Sequence, residues 1–269
     1  MIFLNGKKVE INHFPDGALL LKERVLDVCG KEDVPVIRWN FENNEELLAV
    51  YFLTKHVRKA GYQNIILDMP YIPNARQDRV QNEEDVFTLK YFAELINSLG
   101  FAEVRVLDAH SNVSPALIDN VKLLSPKPYI EKVFNKIKEE TGREPLMFYP
   151  DEGAGKRYGG MMSYPYCFGI KKRDWNTGQI KELNVMGETE RISESDVLVV
   201  DDICSFGGTF LHSAIKLHEL GAANIYLFVS HCEESVLKGE LIKCELLKKI
   251  YTTDSIFHAE HPKIEVVSV

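Results

Sequence analysis

Short, almost continuous apolar runs alternate along this chain with longer stretches in which apolar positions return every three or four residues. Residues 34–39, 64–69, 103–107, 146–149, 196–200 and 224–230 have the length and density of strands buried on both faces. Residues 44–60, 87–99, 129–140 and 209–220 have a helical period between them. In the first helix Leu47, Tyr51, Thr54 and Val57 share a face, and in the second Phe92, Leu95, Ile96 and Leu99 do. Gly61, Gly100, Gly142 and Gly221 each follow a predicted helix, where a left-handed residue closes the last turn. The alternation predicts an α/β fold with mainly parallel sheets flanked by helices.

The helix stop at Gly142 and the strand opening at Pro145 suggest two domains, residues 1–142 and 143–269. A strand running into a polar loop and then a helix occurs at 68–79 and again at 201–209, an echo in architecture only. Residues 171–185 are polar, carry Gly178 and lack a strong apolar period, so a mobile loop between short strands is expected there.

Composition narrows the partners. With 45% apolar and 27% charged residues the chain is of ordinary globular type, and its net charge of -8 disfavours nucleic acid and anionic membranes. An anionic ligand must therefore be held by a local cluster of donors, which suits small phosphorylated molecules. The five cysteines form no CxxC pair, so neither a disulfide framework nor a zinc site is expected, and a reducing, cytoplasmic setting follows. Charges appear within the first ten residues, and no apolar run approaches the roughly 18 residues of a membrane span.

The strongest chemical signal is VLVVDDICSFGGT at 197–209. A buried strand delivers Asp201 and Asp202 to its carboxyl end, where open α/β sheets place ligands. Beyond Phe206, Gly207 and Gly208 allow close backbone approach, and Ser205 and Thr209 put hydroxyls beside the free N–H groups of a helix start. That is a phosphate cup with two acids next to it. The acids must address something else, and sugar hydroxyls or ligand-bound Mg²⁺ would serve.

This segment resembles the phosphoribosyl pyrophosphate loop of type I phosphoribosyltransferases and of ribose-phosphate pyrophosphokinases, and the second family also accounts for the N-terminal half. YIPNARQDR at 71–79 resembles that family's PYxxYARQDR. The likeness implies that Arg76, Gln77 and Asp78 bind ATP, Arg76 through its planar fork of donors. Asp108 and His110 match the family's DLH, implying that His110 is catalytic and holds ATP and Mg²⁺ with help from Asp108. Asp119 is the matching acid in the segment that follows. LMFYPDEGAGKRY at 146–158 resembles a strand followed by SPDxGGxxRA, implying a ribose or metal contact by Asp151 with Lys156 and Arg157 at a helix start. Lys171, Lys172 and Arg173 resemble the family's DKRR, which assigns to Lys172 the stabilisation of the transferring phosphoryl group from a closing lid. Phe14 and Asp16 resemble the FxDGE turn that reaches ATP across a subunit interface.

The resemblance implies two phosphoribosyltransferase type I-like domains with the active site between them and an assembly of at least two copies. The implied reaction is pyrophosphoryl transfer from Mg-ATP to ribose 5-phosphate, with Mg²⁺ as cofactor. Ribose 5-phosphate would be held by Asp151, Asp201, Asp202 and the residues from Ser205 to Thr209. The chain departs from the family pattern at Ala18 in place of Glu, at Ser205 in place of Asp, at Asp174 in place of Arg, and in a shorter segment after His110. Two rival readings are a phosphoribosyltransferase using a nucleobase and a non-catalytic regulatory homologue.

Overall fold

The computed structural model describes residues 1–173 and 180–268. No helix among them is long and apolar enough to cross a membrane. The chain forms two compact units, Met1–Ser125 and Pro126–Val269. This division falls earlier than the expected 142/143 boundary. Helix Lys127–Thr141, assigned from the sequence to the first domain, buries Ile130, Val133, Phe134 and Ile137 in one core with Met147, Tyr149 and Leu198 of the second unit.

The first unit opens with β1 (Ile2–Leu4) and β2 (Lys7–Lys8), joined through Asn5 and Gly6 at φ 45° and 82°. Two successive positive φ values make the tight hairpin turn whose twist matches an antiparallel pair. A second ribbon, β3 (Ile11–His13) and β4 (Leu19–Leu21), leads into α1 (Val25–Val28). Strands and helices then alternate as β5 (Val36–Trp39), α2 (Glu45–Lys59), β6 (Ile66–Asp68), α3 (Thr88–Ser98), β7 (Glu103–Leu107), α4 (Val113–Leu117) and β8 (Val121–Leu124). The sheet order is β2-β1-β5-β6-β7-β8, with β5 to β8 parallel and β1 and β2 an antiparallel edge. The carboxyl ends of β6 and β7 therefore lie side by side, and they carry the 70–79 and 108–112 loops.

Both expected helix faces are rotated slightly from the sequence reading. Helix α2 buries Ala49, Val50, Leu53, Thr54 and Val57, while Tyr51 is exposed beside Phe52 and under Lys55. Helix α3 buries Leu89, Phe92, Ala93 and Ile96 but leaves Leu95 exposed. At 100° per residue, a shift of one position moves the edge of an apolar stripe into solvent. The four helix-closing glycines all have positive φ as expected: Gly61 107°, Gly100 63°, Gly142 72° and Gly221 88°.

The second unit runs α5 (Lys127–Thr141), β9 (Leu146–Tyr149), α6 (Glu152–Met162), β10 (Tyr166–Arg173), β11 (Ile180–Gly187), β12 (Asp196–Cys204), α7 (Gly208–Glu219), β13 (Asn224–Cys232), β14 (Leu247–Thr253) and β15 (Ile264–Val267). Its sheet has the order β11-β10-β9-β12-β13-β14-β15, and only the β10–β11 pairing is antiparallel among the described residues. The expected loop at 171–185 is thus corrected: residues on both sides of 174–179 are paired in a β10–β11 ribbon. An edge strand with one solvated face carries few apolar residues, which is why it reads as a loop. Asp174 lies outside the described residues.

The chain leaves β9 through α6 for β10 on one side, whereas β12 leads through α7 to β13 on the other. Between β9 and β12 the winding reverses. In open parallel sheets the crevice at such a reversal, beyond the carboxyl ends of the strands, is where ligands bind.

Candidate active site

Asp151 follows β9, Lys171 lies near the end of β10, and Asp201 and Asp202 lie near the end of β12, so neighbouring parallel strands present them at the reversal point. Asp151 is the N-cap of α6: its carboxylate accepts the Ala154 N–H at 3.0 Å and pairs with Lys171 Nζ at 2.9 Å. Helix α6 packs closely on β10 through Gly155 and Gly159. A Cβ at Gly155 would meet Phe168 at 3.6 Å, and one at Gly159 would meet the Tyr166 ring at 3.1 Å. Only the Gly159 contact is tighter than ordinary packing; the same helix carries Arg157, whose guanidinium pairs with Asp202 at 3.2 Å.

The acids differ in state. Burial works to raise the Asp151 carboxyl pKa, but the Ala154 N–H and the Lys171 ammonium outweigh it and hold the group below its usual range. Asp201 moves the other way: burial first, then the neighbouring Asp202 and Asp151 charges, push it well above the ordinary carboxylate range. Arg157 and Lys171 serve Asp202 and Asp151, and among the described residues Asp201 forms no ion pair. Its carboxylate accepts the Asp202 N–H at 3.0 Å.

Beyond Cys204 the chain turns through Ser205 and the exposed Phe206 to Gly207, whose φ of 84° suits a residue without Cβ. Gly207 is the N-cap of α7 and offers no side-chain cap, and the N–H groups of Gly208 and Thr209 have no backbone acceptor among the described residues. A helix start with open amides, at a topological reversal, has donors that an anion such as phosphate could accept. The acids and the loop expected from the sequence are therefore brought together here. Lys171, to which the sequence reading gave no role, is placed among them with only 9% of its side chain exposed. Lys172 is adjacent on β10, in register with Glu182, and its side chain lies outside the described residues. Strand alternation was the signal that could have singled out Lys171, had this segment been read as a strand.

In the first unit the loop after β6 leaves Arg76 and Gln77 exposed and buries Asp78, which is 6% accessible. Asp78 takes two hydrogen bonds from Arg79, at 2.7 and 3.2 Å. The Arg79 hydrogen bonds, followed by one from Ser111 and the charge of His110, hold its carboxyl below the usual range against the opposing effect of burial. Asp78 thus ties the loop after β6 to the loop after β7 and faces inward, unlike its two predecessors. Gln77 Oε1 accepts from Thr88 Oγ1 at 2.9 Å at the start of α3. His110 is exposed, whereas Asp108 is buried at the end of β7 with φ 43°, an uncommon conformation for a residue with a side chain. Asp119 is exposed, and its N–H donates to Asn97 Oδ1 at 2.9 Å. The 14–18 turn joins β3 to β4, with Phe14 half exposed and Asp16 Oδ1 accepting the Ala18 N–H at 3.0 Å.

For a metal, no three or more His, Cys, Asp or Glu side chains among the described residues are arranged so that together they could hold an ion. Hard carboxylate oxygens nonetheless suit Mg²⁺, which keeps several waters and is commonly bound through one or two carboxylates together with ligand phosphates. Asp151 could serve once Lys171 releases it. All five cysteines are free, and the four most buried are Cys29, Cys167, Cys204 and Cys232.

Residues 3–100 match the family described as the N-terminal domain of ribose phosphate pyrophosphokinase. A ribose-phosphate pyrophosphokinase of Pyrococcus abyssi is 30% identical over 227 residues, covering 83% of this chain and 75% of that protein. One of Fusobacterium nucleatum is 27% identical over 266 residues, covering 97% and 82%. The crystal structure of phosphoribosylpyrophosphate synthetase from Mycobacterium smegmatis superposes with a TM-score of 0.74 at 17% identity, covering 97% of this chain and 86% of that one, which establishes the shared fold. With its two sheet units, its helix start with open amides at the winding reversal and its relatives in agreement, the chain belongs to the ribose-phosphate pyrophosphokinase family.

Proposed function

We propose that this protein is a ribose-phosphate diphosphokinase, transferring the pyrophosphoryl group of Mg-ATP to the 1-hydroxyl of ribose 5-phosphate to give phosphoribosyl pyrophosphate and AMP. The observation that carries the reading is the convergence of Asp151, Lys171, Asp201 and Asp202 with the open amides of Gly208 and Thr209 at the reversal between β9 and β12. The amides and the Ser205 and Thr209 hydroxyls receive the 5-phosphate. Asp201 and Asp202 accept hydrogen bonds from the ribose hydroxyls. Phosphoryl transfer needs in-line placement and neutralised oxygen charge more than covalent help, and these residues supply both.

On the nucleotide side, exposed Arg76 and Gln77 meet ATP, His110 stands by its phosphates, and Asp78 braces the loops that carry them. As ribose O1 attacks the β-phosphorus, the bond from that phosphorus to the oxygen shared with the α-phosphate breaks and AMP leaves. Lys171 leaves Asp151 for the phosphoryl oxygens and balances their charge, in the role first given to Lys172. Mg²⁺, when bound, would neutralise phosphate charge; Asp151 on the ribose side and His110 on the nucleotide side are the residues of each unit that would hold it. The exposed 14–18 turn serves the nucleotide of a neighbouring copy, so at least a dimer is the working form, and the cytoplasm is its setting.

The test is phosphorus NMR of purified protein with Mg²⁺, ATP and ribose 5-phosphate. Stoichiometric AMP and phosphoribosyl pyrophosphate are expected. Formation of ADP would refute the proposal. So would unchanged ATP together with consumption of phosphoribosyl pyrophosphate and a nucleobase.

A further inference from the structure

The loop that receives the 5-phosphate rests on a second segment to which no role has been given. That segment follows β13 and contains Gly239 and Leu241, between short helical turns at Glu234–Lys238 and Leu241–Lys243. It begins where the Glu233 N–H donates to the Cys204 carbonyl at 2.8 Å, immediately before the loop. A Cβ at Gly239 would stand 2.1 Å from the Phe206 carbonyl oxygen, 2.9 Å from its carbon and 3.2 Å from Phe206 Cα. Reciprocally, a Cβ at Gly207 would stand 2.5 Å from Leu241 Cδ2 and 2.6 Å from Leu241 Cβ. Leu241 is itself fully buried in the core. Gly239 therefore meets the Phe206 backbone itself, while Gly207 meets the Leu241 side chain, and both positions leave room only for hydrogen.

We infer that Gly239 is a positioning residue for ribose 5-phosphate, setting the height of the Phe206–Gly207 peptide and with it the amides that bind the 5-phosphate. This rests on the proposed function and deepens it. The Phe206 carbonyl and the Gly207 N–H belong to one planar trans peptide and point in opposite directions. Gly239 presses on the carbonyl side, so it fixes the amide on the far side as well. A methyl group at Gly239 forces the carbonyl back by about 1 Å to reach ordinary contact distance. Phe206 is 60% exposed, so the loop yields outward and the fully buried Leu241 stays in place. A displacement of about 1 Å in a positioned binding group costs on the order of tenfold to a hundredfold.

The experiment is steady-state kinetics and calorimetric binding of ribose 5-phosphate to the full chain, comparing wild type with Gly239→Ala, Leu241→Val and Lys238→Ala. Lys238 is an exposed control in the same segment. Gly239→Ala is expected to raise KM and Kd for ribose 5-phosphate about tenfold or more, with KM for ATP unchanged. Leu241→Val is expected to raise them about threefold by loosening the support under Gly207, and Lys238→Ala to leave them as in wild type. Unchanged KM and Kd in Gly239→Ala overturn the inference, even if its melting temperature falls, because only a structural role would then remain. Should Gly239→Ala fail to fold, unchanged constants in Leu241→Val overturn it. Failure of the proposed function itself is visible separately, as a wild type that neither binds ribose 5-phosphate nor turns it over.

Discussion

Asp201→Asn should make the empty protein more stable at neutral pH while abolishing ribose 5-phosphate binding. Three carboxylates meet at the reversal point, and the two cations paired with them serve Asp151 and Asp202. Asp201 is the uncompensated one, and its pKa is raised by burial, Asp202 and Asp151. The folded state thus holds the Asp201 proton more tightly than the unfolded chain does. Its contribution to stability is complete below the unfolded carboxyl pKa of about 3.9 and is lost as pH rises through the raised folded value. Removing an uncompensated active-site charge commonly gains about 1–2 kcal/mol. In a protein of this size that raises Tm by about 3–6 °C. Thermal unfolding of both proteins from pH 4 to 9, with and without ribose 5-phosphate, checks the argument. The Tm difference should grow with pH and vanish near pH 4, and added ribose 5-phosphate should shift only the wild type. A variant less stable at pH 8, or a difference independent of pH, would refute the account of Asp201.

Lys171→Ala should lower kcat by about a hundredfold or more with a much smaller change in ribose 5-phosphate affinity, measured by AMP release. Equal losses in the two would make Lys171 a ground-state contact. Asp78→Asn weakens the charge-assisted bonds from Arg79 and Ser111, and should cost about 1–3 kcal/mol of stability and raise KM for ATP. Because the Asp78 pKa is depressed, its contribution is present above the unfolded pKa and lost as pH falls, so the wild-type advantage should shrink below about pH 4. Arg143→Ala leaves the fully buried Asp196 with the Asn224 amide but without the half-exposed guanidinium that reaches it at 2.9 and 3.2 Å, and should cost about 1–2 kcal/mol in denaturant unfolding with little change in KM.

The central architecture is legible in the sequence because buried parallel strands are continuous apolar runs and their helices end at left-handed glycines. Glu103–Leu107 and Leu146–Tyr149 coincide with the expected strands, and the others differ at their ends. The grouping of Asp201 and Asp202 with the glycine turn was legible for the same reason, since they follow one strand directly in sequence. What escaped was whatever depends on partners distant in the chain. The four short strands before α1 lack the length to show a period, and the β10–β11 ribbon has the polar face of a sheet edge. Lys171 and Lys172 are adjacent letters of equal chemistry, and only the pairing of β10 separates them. Asp78 looks like one more polar residue in an exposed run, yet the fold turns it inward to Arg79 and Ser111. Gly239 has no local signal at all, since its constraint comes from Phe206, far away in sequence.

Strand β10 pairs with β9 only over Tyr166, Cys167 and Phe168, but continues along β11 to Arg173. Lys171 therefore rides on a cantilever whose root is wedged: a methyl on Gly169 would come within 2.7 Å of the Pro150 oxygen, and one on Gly187 within 2.7 Å of the Tyr166 oxygen. From Gly169 to Lys171 the arm is about 6–7 Å, so a tilt of ten degrees at the root swings the ammonium by about 1 Å. Two glycines outside the acid cluster thereby set the aim of the charge at the tip.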